Sequence, residues 1–102
     1  MTNPKFEAEL KQSIEQFAAS VPNLDRAIVD EFVSSLCIHD DKVCGFKYSD
    51  LKKVLSEQQY HKLLGIVKFK PENMRDFENN RCIPGRGCIA DINYACDPNT
   101  CH

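Results

Sequence analysis

Apolar positions in the first third of the chain repeat at helical spacing. Phe6, Leu10, Ile14 and Phe17 follow one another at steps of four, four and three. At about 100° per residue they fall within an arc of roughly 80°. This stripe predicts an amphipathic helix from Pro4 to about Ser20, with Asn3 as its cap and Pro4 in its first turn. Val21-Pro22-Asn23 breaks the pattern. Leu24, Ile28, Val29, Phe32, Val33 and Leu36 then form a broader apolar face. They predict a second helix over 24–37, capped by Asn23 and packed on two neighbours.

The segment 51–67 does not keep its phase. Leu51, Val54 and Leu55 fall on one side of a helical wheel, and Tyr60, Leu63, Leu64 and Val67 roughly 180° away. Between them Ser56 and Gln59 have the spacing of a capping box. The reading is a short helix over 50–55, a turn at Leu55-Ser56 and another helix over 57–67. Pro71 opens a last helical turn carrying Met74 and Phe77. The stretch 37–50 reads as a loop, in which Phe46 and Tyr48 alternate with Gly45 and Lys47 and allow a short extended piece. The expected fold is therefore all-α: a small bundle of four to five helices over residues 1–77, followed by an irregular cysteine-rich tail over 78–102. Glu78-Asn79-Asn80-Arg81, polar and without an apolar anchor, marks the boundary.

Cysteine content changes the picture. Four of the six cysteines lie in the tail, as Cys82, Cys88, Cys96 and Cys101, and His102 follows directly. So short a peptide cannot bury enough surface to fold unaided, and cross-links are the usual remedy. Pro84-Gly85 and Asp97-Pro98-Asn99 are turn signals that would set cysteines at loop bases. These four cysteines are the candidate cross-link or modification sites, with Cys37 and Cys44 as a second candidate pair. An alternative set of zinc ligands is Cys82, Cys88, Cys96, Cys101 and His102, with His39 between Cys37 and Cys44. Structural zinc sites offer paired ligands two to four residues apart, and only Cys96 and Cys101 come near that spacing. An Asp40–Leu51 loop has Gly45 where a calcium-binding EF-hand has its glycine. Lys42, Cys44 and Leu51 stand where that loop needs oxygen ligands.

Charge is unevenly distributed. Residues 1–41 carry three basic and eight acidic residues, residues 42–70 seven lysines against two acids, and residues 71–102 three arginines against five acids. Attraction between the acidic and basic segments of one small domain accounts for this. A lysine-rich face over 42–70 for nucleic acid is the alternative, but the aromatic residues of a stacking platform do not alternate with those lysines. The start of the chain shows neither a basic region nor an apolar core of a secretory signal, and no apolar run reaches membrane-spanning length. The expectation is a chain that is cytoplasmic as synthesised.

The layout resembles ribosomally made, post-translationally modified peptide precursors, in which a helical leader is recognised by modifying enzymes and a cysteine-rich core follows. The likeness is one of architecture, without a leader motif or a Gly-Gly cleavage site. A lanthionine-type core needs Ser or Thr partners, and the tail has only Thr100. The resemblance implies a non-enzymatic protein with a modifying or processing enzyme as partner, no cofactor, and export of a C-terminal peptide after cleavage near Asn80-Arg81. The alternatives are a zinc-binding protein-interaction module and a small nucleic-acid-binding regulator. No acid, base and nucleophile set points to an enzyme.

Overall fold

The computed structural model describes residues 3–22 and 24–101. It has a mixed helix-and-sheet fold, which overturns the all-α expectation. Among the described residues 50% are helical and 26% lie in strands. In chain order the elements are α1 (Pro4–Ala19), α2 (Arg26–Ser35), β1 (Cys37–His39), β2 (Lys42–Lys47), α3 (Ser49–Val54), α4 (Glu57–Ile66), a 3-10 turn (Pro71–Asn73) leading into α5 (Met74–Phe77), β3 (Glu78–Ile83) and β4 (Gly87–Cys96). The strands form one antiparallel sheet in the order β1-β2-β4-β3.

The helices follow the sequence closely. Asn3 caps α1 by accepting from the Lys5 amide, and Pro4 occupies its first turn. Its apolar stripe is buried at Leu10, Ile14 and Phe17. Asp25 caps α2, which starts and ends inside the expected 24–37; the expected cap, Asn23, lies outside the described residues. Ser56 and Gln59 form the reciprocal capping box of α4. That box and the phase reversal it accompanies divide α3 from α4.

The strands are where the expectation fails. The stretch 37–50 is a hairpin, not a loop. Asp40 and Asp41 both adopt left-handed backbone, with φ of 50° and 60°, and His39 faces Lys42 across them. Two successive positive φ values make the two-residue turn whose twist matches paired strands, and aspartate tolerates it. The tail is likewise regular. Ile83 faces Gly87 across a tight turn, and Gly85 and Gly87 supply its positive φ. Cys82 pairs with Cys88, Arg81 with Ile89 and Asn80 with Ala90. The register then jumps, and Glu78 faces Ala95. Asn79 and Asn93, both with positive φ, lie within this bulge, where Ile92 is 71% exposed. Beyond it β4 joins the first hairpin, with Phe46 facing Ala95 and Gly45 facing Cys96.

The apolar core lies between the helices and β2. Phe46, at the end of β2, sits edge-on to Phe32 of α2 at 5.4 Å and to Phe69 at 4.8 Å between ring centres. Leu10, Ile14, Phe17, Leu51, Leu63, Leu64 and Val67 complete its middle. Tyr60 is buried here, and its hydroxyl makes no hydrogen bond among the described residues. Burial pushes its ionisation well above the usual phenol range. Among the described residues no helix is long and apolar enough to cross a membrane.

Candidate thiol site

Six cysteines distant in sequence meet in one cluster, separate from the apolar core. Cys44, Cys82, Cys96 and Cys101 are buried, and Cys37 and Cys88 pack against them. The sheet brings them together. β1 and β2 supply Cys37 and Cys44, β3 supplies Cys82, and β4 supplies Cys88 and Cys96. Cys101 arrives by a turn after β4. Asp97 accepts the amides of Asn99 through its side chain and of Thr100 and Cys101 through its backbone carbonyl, folding that turn back. The Asp97 amide donates to the Cys44 carbonyl at 2.9 Å, which fixes the turn beside β2.

Two pairs are bonded. Cys82 is joined to Cys101 across 19 residues and Cys88 to Cys96 across 8. Cys37 and Cys44 are unbonded thiols. The Sγ atoms of Cys37, Cys44 and Cys82 all lie within 4.8 Å of one another, as do those of Cys82, Cys96 and Cys101. Cys82 is common to both groups. The Cys44 thiol also donates to the Thr100 carbonyl at 3.2 Å.

Gly45 is what lets β3 and β4 lie so near β2. A Cβ on Gly45 would stand 2.7 Å from the Ala95 carbonyl oxygen and 3.3 Å from Cys82 Cβ. An unsubstituted residue at this point is what close backbone approach inside a sheet requires.

The two thiols differ in access. Cys44 is fully enclosed, whereas Cys37 is half-buried and lines a cleft of about 390 Å³ shared with Ser34, Ser35, Lys47, Arg81 and Tyr94. Lys47 is paired with Glu31 on its wall, and the Arg81 guanidinium lies 4.7 Å over the Tyr94 ring. Burial raises the pKa of both thiols. For Cys37 the hydrogen bond with Cys44 and the charge of Arg81 act the other way, more weakly. For Cys44 the neighbouring Cys37 adds to the rise. Both are therefore protonated at neutral pH, a state that favours slow thiol chemistry.

The sequence-derived candidates divide accordingly. Cys82, Cys96 and Cys101 come together, and Cys88 is bonded to Cys96. Cys37 and Cys44 join this same cluster instead of forming a separate site. His39 ends β1, with its Nε2 3.2 Å from Asp40 Oδ2, and belongs to neither sulfur group. His102 lies outside the described residues. Sequence reasoning did not find the meeting of Cys37 and Cys44 with Cys82, nor the parts played by Gly45 and Arg81. A glycine inside an extended run, four residues beyond two adjacent turn-forming aspartates, was the available signal.

No protein-family model, curated protein or solved structure matches this chain.

Proposed function

We propose that this is a non-enzymatic docking protein that carries a cross-linked cysteine-rich C-terminal segment. A partner enzyme of the disulfide-forming class closes the cross-links, and the rest of the chain sets their pattern. One observation carries the reading. The four tail cysteines stand as two bonded pairs on β3, β4 and the turn after β4, and β4 pairs with β2, a strand of the N-terminal hairpin. A free peptide with four cysteines has three ways to pair them. The pairing of Gly45, Phe46 and Lys47 with residues 94–96, and the Asp97–Cys44 bond, select one. Ala95 and Cys96 are almost completely buried by that pairing, which favours a segment retained on its docking domain over one released by cleavage.

The test compares oxidative refolding of the full chain with that of a synthetic 78–102 peptide, both mapped by non-reducing digestion. The full chain is expected to give the 82–101 and 88–96 links alone, and the peptide a mixture of isomers. A peptide that reaches the same single pattern unaided overturns the docking role, as does a full chain that scrambles.

A further inference from the structure

Cys37 and Cys44 have no part in the cross-links, yet they are placed against one. Their sulfurs and that of Cys82 lie within 4.8 Å of one another. In a tetrahedral zinc site with Zn–S bonds of about 2.3 Å, ligand sulfurs stand roughly 3.8 Å apart. The trio therefore needs to close by at most about an ångström. It lacks a fourth ligand, and the bond that occupies Cys82 also holds one.

We propose that reduction of the Cys82–Cys101 bridge creates a four-thiolate site for zinc(II), formed by Cys37, Cys44, Cys82 and Cys101. The step balances with a dithiol reductant. The S–S bond breaks, two thiols form, and the reductant leaves as its own cyclic disulfide. Zinc then displaces the thiol protons. One reduction completes the set, because it frees both missing ligands together. Cys101 is already held near Cys44 by backbone bonds that survive deprotonation, from the Asp97 amide to the Cys44 carbonyl and from the Cys101 amide to the Asp97 carbonyl. Cys96 lies close to Cys82 and Cys101 but is bonded to Cys88, which belongs to neither close sulfur group; that bridge takes no part in the site, and backbone pairing of β3 with β4 holds the hairpin.

Three further features fit a soft cation. The donors are all sulfur, which selects zinc over calcium or magnesium. Cys44, Cys82 and Cys101 are buried, so the site excludes competing water. The guanidinium of Arg81 acts on Cys37 from the cleft side and offsets part of the negative charge that four thiolates bring to one zinc ion. The ligands come from β1, β2, β3 and the turn after β4, elements that the sheet already aligns. The oxidised and zinc-loaded forms exclude each other, since both use Cys82 and Cys101.

The test uses the full chain, purified oxidised and free of metal, then treated anaerobically with graded dithiol and titrated with cobalt(II). The expected result is one cobalt per chain once a single bridge has opened. It should show the intense visible bands of tetrahedral thiolate coordination, be displaced by zinc, and be absent from the oxidised chain. C37S and C44S remove thiols that are unbonded in the oxidised form, so each variant is first checked for native circular dichroism in that form. Each should then bind cobalt at least about tenfold more weakly, whereas H39A and the double variant C88S/C96S should bind as the parent does. A reduced chain without tetrahedral cobalt bands overturns the proposal. So does binding that C37S and C44S leave unchanged, or that needs Cys88 and Cys96.

Discussion

The apolar core and the sulfur cluster meet along β2 and are built in opposite ways. The core gathers many side chains that are interchangeable in kind. They come from α1, α2, α3 and α4 and from the stretch between α4 and β3, and β2 presents Phe46 to them. The cluster gathers six side chains of one kind at fixed places on four strands and the turn after β4, and two covalent bonds hold it. The first forms wherever apolar area can leave water. The second forms only after the sheet has its register, because a shift by one residue would turn each cysteine to the opposite face. A chain this short gains from both, since its apolar core alone is small.

The largest separation between the two should come from Phe46→Ala. It empties the space between Phe32 and Phe69 and is expected to cost about 4 kcal/mol. Denaturant midpoints should show the same loss with and without reductant. Next comes removal of a bridge. C82A/C101A should cost roughly 3 kcal/mol and C88A/C96A somewhat less, since the shorter loop restrains the unfolded chain less. Unlike the Phe46 effect, both costs should vanish when every variant is measured reduced. Gly45→Ala tests the contact between the halves. The added methyl meets the Ala95 carbonyl at 2.7 Å, and the expected loss is about 2 kcal/mol. It should be accompanied by faster hydrogen exchange in residues 94–97. The smallest effect has the opposite sign. Tyr60→Phe deletes a buried hydroxyl without a hydrogen-bond partner among the described residues and should raise stability by about 1 kcal/mol. An unchanged or lowered melting temperature would show that this hydroxyl is satisfied.

The helical part of the fold is readable in the sequence because its signals are local. Phe6, Leu10, Ile14 and Phe17 define their own helix, and Ser56 with Gln59 marks a start that the phase reversal already implies. The sheet lacks such signals. Val43, Cys44, Gly45 and Phe46 are all buried in succession, so β2 shows no alternation. β3 is an edge strand that is polar from Glu78 to Arg81, and the bulge containing Asn79 and Asn93 breaks the two-residue period along β4. Its Ile92 projects into solvent where periodicity alone would place it inside. Asp40-Asp41 is a hairpin turn signal whose acidic side chains also suggest a cation loop. The candidate site was readable as a set of residue types but not as an arrangement. Cys82, Cys88, Cys96 and Cys101 announce cross-linking through their crowding. The approach of Cys37 and Cys44 depends on long-range strand pairing, which no local spacing encodes. The distribution of charge was more informative. The acidic N-terminal segment and the lysine-rich segment meet through Glu31 and Lys47, while Lys52 reaches Glu78 of the C-terminal segment at 2.8 Å.

The most direct measurement is the position of free thiols in the full chain purified without reductant or metal. The chain is trapped with alkylating agent under acid denaturation and mapped by mass spectrometry. The account predicts label confined to Cys37 and Cys44, with Cys82 linked to Cys101 and Cys88 to Cys96. Label on any of the four tail cysteines, or a tail cysteine linked to Cys37 or Cys44, would contradict it.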